Sequence, residues 1–125
     1  MKETLLITIL SVGLFLFIVN RDSNTITQKK TVSYTVPKHS LVMFYAPWCG
    51  YCKQFMPEWE QVKSSLRSNP KIRTVEVNGD DNKDLMMKYN VPGFPTILLE
   101  LNDGTVIPYD GNRDAHSVLD FASRF

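Results

Sequence analysis

The sequence predicts an α/β domain in which a mixed central sheet is flanked by helices, with an apolar segment ahead of it. Three observations carry that prediction. The elements run strand, helix, strand, helix, hairpin, helix, an order that builds an α/β sandwich. The turn sequence Asn102-Asp103-Gly104 separates two apolar runs, as in a β-hairpin. Phe55, Trp59, Val62 and Leu66 fall on one helical face directly after a strand-like run. Of the 125 residues, Leu5 to Val19 carry no charge. Setting the N-terminal segment aside leaves roughly 100 residues, enough for one modest core. Lys and Arg total 14 against 13 Asp and Glu, for a net charge of +1. That balance excludes the strongly basic footprint of a nucleic-acid binder and the acidic tail of a solvating protein. No repeat, phosphate loop or Ser/His/Asp arrangement occurs.

The N-terminal run Leu5 to Val19 would rise about 22 Å as a helix, against a hydrocarbon core of about 30 Å. Ile18-Val19-Asn20-Arg21 lacks the small residues of a cleavage site, so an uncleaved anchor is favoured over a cleaved signal. The expected organisation is therefore a transmembrane anchor or signal segment at 1–20, a polar tether at 21–30 and a folded domain at 31–125. Arg21, Lys29, Lys30 and Lys38 follow the apolar run and by themselves favour a cytoplasmic domain.

Within the domain, Leu41 to Tyr45 reads as a buried strand ending at Ala46-Pro47. The chain then enters a helix near the cysteines, which Pro57 should kink by removing a backbone donor. Ile72 to Val77 is a second strand and Asn82 to Tyr89 a short helix. Thr96 to Leu101 and Thr105 to Tyr109 form the hairpin. Asp114 caps a last helix in which Val118, Leu119 and Phe121 or Ala122 face inward. Trp59 and the five methionines are expected in the core, with Met56 able to line a groove near the cysteines, and His39 and His116 as solvated or capping residues.

Cys49 and Cys52, the only two cysteines, lie where a strand's carboxyl end meets a helix N-terminus. Unsatisfied amides and the positive dipole end there favour a thiolate over a thiol. The pair can cycle between dithiol and disulfide, with Cys49 as the attacking thiolate and Cys52, one turn into the helix, as the more buried thiol that resolves a mixed disulfide. Gly50 and Tyr51 between them tune the thiolate. A structural disulfide would close too small a loop to stabilise much. Haem attachment needs His where Lys53 stands, and a metal site lacks further ligands. Redox exchange is the favoured reading, with no metal and no cofactor beyond the pair itself.

Tyr45-Ala46-Pro47-Trp48-Cys49-Gly50-Tyr51-Cys52-Lys53, followed by Pro57-Glu58-Trp59, resembles the active site of thioredoxin-fold proteins, and specifically the protein disulfide isomerase branch. Val91-Pro92-Gly93-Phe94-Pro95-Thr96 is similar to the family's second signature, and Tyr109-Asp110-Gly111-Asn112-Arg113 to a third, weaker one. The resemblance implies a thioredoxin fold, a cis bond before Pro95 and pairing of a client chain with Phe94 as an added strand. It also implies that Arg113 approaches the active site to favour the resolving thiolate, and that Trp48 forms a surface platform beside Cys49.

The chain departs from the family in three places. Gly50-Tyr51 stands where disulfide isomerases usually have Gly-His and thioredoxins Gly-Pro, so redox poise does not carry over. The family's buried acid, six residues before the first cysteine, is replaced by Met43. Glu76 on the neighbouring strand is the candidate to point under the cysteines and accept the proton of Cys52, the alternative being a solvated strand residue with water as the relay. The N-terminus is reduced: Thr31 to Val36 can supply a first strand, but Pro37 leaves little room for the first helix.

The function expected is a thiol-disulfide oxidoreductase acting on protein clients with thiols or disulfides, regenerated by a separate redox partner and attached to a membrane. A thioredoxin-type membrane reductase and a tethered thiol-binding module with little turnover are the alternatives. The redox motif favours an oxidising compartment, against the positive-inside count.

Overall fold

The computed structural model describes residues 38–125. The expected anchor at 1–20, the tether at 21–30 and the first strand at Thr31 to Val36 lie outside the described residues. Among the described residues no helix is long and apolar enough to cross a membrane. In chain order the elements are β1 His39–Tyr45, α1 Gly50–Leu66, β2 Ile72–Asn78, α2 Lys83–Lys88, β3 Thr96–Glu100, β4 Val106–Tyr109 and α3 Ala115–Ala122. The sheet order is β2-β1-β3-β4, with β1 parallel to β2, antiparallel to β3, and β3 antiparallel to β4. This is the mixed sheet expected, its one parallel pair joined through a helical crossover.

Strand β1 is central because its side chains are apolar on both faces. Leu41 and Met43 join the core beneath α1 and α3, while Val42 and Phe44 join a second core with Val77, Leu98 and residues of α2. Helix α1 buries Cys52, Phe55, Trp59, Val62 and Leu66, the expected stripe extended back to the second cysteine. Pro57 sits inside this helix without ending it. Met87 is exposed on α2, so it is not the core filler expected of the methionines. Short α2 has no buried residue to extend it, and the Asn82 amide bonds the Asn78 carbonyl at 2.9 Å instead of capping.

The hairpin closes as its sequence demands. The Thr105 carbonyl accepts the Leu101 N–H at 2.8 Å, and Gly104 adopts φ +87, the left-handed conformation that glycine takes without steric cost. His39 Nδ1 accepts the Asn102 N–H at 3.1 Å and ties this turn to the start of β1. At the far end, Asp114 caps α3 by accepting the Ser117 N–H and hydroxyl, each at 2.8 Å. The Ser117 backbone and side-chain donors hold the Asp114 carboxyl below its usual range.

Candidate active site

Cys49 is the N-cap of α1, and Cys49 and Cys52 are joined as a disulfide with their Cα atoms 5.2 Å apart. The Cys52 N–H donates to Cys49 Sγ at 3.1 Å. A cap position with extended backbone turns the sulfur back over the first helical turn, where amide donors are otherwise unpaired. That turn carries no acidic residue, so nothing competes for the positive end of the helix. Cys49 is 6% exposed and Cys52 2%; both pack with Ala46, Tyr45 and Phe94. The difference in burial has the expected sense but is small.

The wall facing the disulfide comes from the segment before β3. The Phe94–Pro95 peptide is cis, and Pro95 is buried. Phe94 packs on the cysteine cluster and meets the edge of Trp48, with ring centroids 5.9 Å apart. Trp48 is 68% exposed, yet its indole N–H donates to Asp80 Oδ2 at 2.9 Å. Tyr51, between the two cysteines, is also exposed, next to Gly50, whose Cα faces open space. Asp80 escaped the sequence reading because nothing local links the turn after β2 to Trp48, 32 residues away.

Gly79 in that same turn owes its identity to space. A Cβ there would collide with the Cζ and Cε1 edge of the Phe94 ring and stand 2.9 Å from Met86 Sδ. Gly79→Ala is therefore expected to lower unfolding free energy by about 1–3 kcal/mol as Phe94 is displaced. Urea unfolding measures it, and a loss below about 0.5 kcal/mol would show that the ring yields freely.

Arg113 Nη2 donates to the Pro95 carbonyl at 3.4 Å, a long bond that nonetheless brings the guanidinium to the site. Arg113 also lines a small cleft of about 140 Å³ with Tyr51, Gln54 and Phe55 on the first turns of α1. Sequence motif and geometry thus bring Cys49, Cys52, Trp48, Tyr51, Phe94, Pro95 and Arg113 to one end of the sheet.

Glu76 does not join them, and the expectation of a buried carboxylate beneath Cys52 is corrected. Its Oε1 accepts the Trp59 indole N–H at 2.8 Å and pairs with Lys63 Nζ at 2.9 Å. Those partners lie 7 and 11 residues beyond Cys52, about 10 and 16 Å along a helix rising about 1.5 Å per residue. Glu76 registers with Met43, which is wholly buried under α1. Among the described strands, however, β2 is an edge, so Glu76 reaches the rim of α1 and remains exposed. The position six residues before Cys49 is occupied by the apolar, fully buried Met43 side chain.

Lys63 also pairs with Glu60, at 2.6 Å, and the hydrogen bonds it donates to Glu60 and then to Glu76 raise its pKa above the ordinary 10.5. A raised folded-state pKa gives stability that is fully present below 10.5 and lost as pH rises through the folded value. The alkaline fall in urea midpoint should therefore be steeper in the wild type than in Lys63→Met. Parallel pH curves for the two proteins would refute this.

A family model described as thioredoxin matches residues 22–124. Protein disulfide-isomerase of Datisca glomerata is 40% identical over 96 residues, covering 72% of this chain and 19% of that protein. Protein disulfide-isomerase A4 of Mus musculus is 41% identical over 80 residues, covering 63% of this chain and 12% of that protein. The chain thus spans a fifth or less of these relatives. Among solved structures, the first thioredoxin domain of mouse protein disulfide-isomerase A4 aligns with a TM-score of 0.64 at 35% identity, covering 70% of this chain and 62% of that one. The first two thioredoxin domains of Naumovozyma dairenensis Eps1p align with a TM-score of 0.62 at 33% identity, covering 68% of this chain and 34% of that one.

Proposed function

The chain belongs to the thioredoxin family, and from that premise we propose that it is a thiol-disulfide oxidoreductase exchanging its Cys49–Cys52 pair with protein clients. The observation that carries this reading is a disulfide at an acid-free helix N-terminus, walled by the cis Phe94–Pro95 segment. In the reducing direction, Cys49 thiolate attacks a client disulfide, forming a mixed disulfide and releasing one client thiolate. Cys52 then gives up its proton and attacks Cys49 Sγ, so that the second client sulfur leaves with the bonding electron pair and is protonated. The client disulfide gains two electrons and the enzyme dithiol loses them. Run backwards, the same steps oxidise a client dithiol.

Each neighbouring group has a role in this scheme. The unpaired amides of α1 stabilise Cys49 as a thiolate. The backbone of half-buried Phe94 offers a client strand its pairing edge, while Trp48, Gly50 and Tyr51 form the surface on which it lies. Arg113 favours the Cys52 thiolate. The pair itself is the redox group, and no further cofactor is required.

A dedicated donor or acceptor of electrons regenerates the pair, and an oxidising compartment suits net disulfide formation. The apolar run Leu5 to Val19 is the proposed membrane attachment. A second reading, a module that holds thiol partners with little turnover, is favoured by Met43, an apolar and fully buried side chain at the position six residues before Cys49.

Reduction of insulin by the protein, together with the reduction potential of the pair titrated against glutathione buffers, tests the proposal. Turnover with a potential near that of an oxidising compartment is the expected result. Reversible oxidation without turnover would replace it with the holding module, and a clearly more reducing potential with a thioredoxin-type reductase.

A further inference from the structure

Glu58 lies one turn beyond the cleft that holds Arg113, and its carboxylate reaches across to another element. Glu58 Oε2 accepts the Ala115 N–H at 2.8 Å. Ala115 is the first residue of α3, and Asp114 takes the Ser117 donors, so two side chains from different parts of the chain share the start of that helix. Tyr51, Phe55 and Glu58 are spaced four and three residues apart, which puts them on one stripe of α1. Tyr51, Gln54 and Phe55 line the cleft with Arg113, and Glu58 extends that stripe to Ala115, two residues further along the chain. A connected path results: α1 through Glu58 to Ala115, back along the backbone to Arg113, and from Arg113 to the carbonyl of Pro95, whose neighbour Phe94 packs on the cysteine cluster.

We infer that Glu58 is a positioning residue for Arg113, holding the 113–115 backbone so that the guanidinium stays at the Pro95 carbonyl and within range of the redox pair. This rests on the proposed exchange reaction, in which Arg113 favours the thiolate of Cys52 as it attacks Cys49 Sγ and the client sulfur departs. The long 3.4 Å bond from Arg113 makes the support necessary, because a contact that weak does not fix the side chain alone. The sign of the effect separates positioning from direct electrostatics. Removing a nearby negative charge would by itself favour the thiolate, whereas releasing Arg113 disfavours it.

The test is a double-mutant cycle in the full chain, read by the equilibrium with glutathione and by the rate at which the mixed disulfide resolves. Glu58→Ala is expected to shift the equilibrium about three-fold toward the disulfide and slow resolution about as much, with no further change when added to Arg113→Ala. Glu58→Gln keeps an acceptor for the Ala115 N–H and should stay near the wild type. Glu58→Asp pulls the carboxylate about 1.5 Å short and should follow alanine, which covers the case in which the alanine variant does not fold. A shift toward the dithiol, or the same shift whether or not Arg113 is present, would overturn the inference. So would a lower unfolding midpoint with both redox readouts unmoved. A wild-type pair that does not exchange with glutathione would instead remove the proposed reaction, and this inference with it.

Discussion

Cys52→Ser is expected to turn the protein into a covalent trap, with client proteins accumulating on Cys49 as mixed disulfides that survive a non-reducing gel. The geometry makes this specific. Cys49 Sγ lies over the first turn of α1, and the one other cysteine of the sequence, Cys52, is already bonded to it. Once a client is bound through Cys49, the second thiol is the intramolecular route to release, and serine cannot take it. Outside thiols can still resolve the adduct, but both cysteines are largely buried, so that route is slow. Cys49→Ser removes the attacking atom itself, and insulin reduction should fall on the order of 10³-fold or more. It should also leave no trapped client, since Cys52 lies inside the first turn of α1, behind the cap position that Cys49 occupies. Trapping by the Cys49→Ser protein at the level of Cys52→Ser would reverse the assignment of attacking and resolving thiols.

Much of this site is local in sequence, which is why it could be read there. Trp48, Cys49, Gly50, Tyr51 and Cys52 are consecutive, and the strand-to-helix junction that presents them follows from the apolar run ending at Ala46-Pro47. The hairpin was legible in Asn102-Asp103-Gly104, and the start of α3 in Asp114. What escaped depends on contacts between distant segments. Asp80 meets Trp48 across 32 residues and Glu58 meets Ala115 across 57, and neither pairing leaves a pattern in the chain. Glu76 shows the limit of register. Strand alternation correctly puts it on the α1 side, opposite in sense to Val77, but side alone does not say whether a residue lies under a helix or at its rim. That depends on β2 being the edge of the described sheet, a property of topology.

Trp59→Ala is the substitution expected to cost most stability, about 3–5 kcal/mol, a large share of the roughly 5–15 kcal/mol available to a domain of this kind. Trp59 is fully buried, the largest such side chain among the described residues, and packs against Phe55 with ring centroids 6.2 Å apart. Its indole N–H also holds the Glu76 carboxylate, so one residue fills the core beneath α1 and ties that helix to β2. Trp59→Phe separates the two contributions: it retains most of the apolar volume, loses the hydrogen bond, and should cost about 1–2 kcal/mol. The lower end is expected, because exposed Glu76 keeps Lys63 and regains water. Adding Glu76→Gln to Trp59→Phe should then cost less than the sum of the two single changes, as the shared bond is already gone. Guanidinium unfolding of the four proteins decides it. Strict additivity would mean that the Trp59–Glu76 bond contributes nothing beyond its geometry, and a loss below about 1 kcal/mol for Trp59→Ala would mean that α1 is held from elsewhere. If the full loss is seen, glutathione exchange in Trp59→Phe becomes informative. An unchanged potential there would place the anchoring of α1 at Trp59 apart from the redox chemistry at its first turn, which is what the 7 residues between Cys52 and Trp59 lead one to expect.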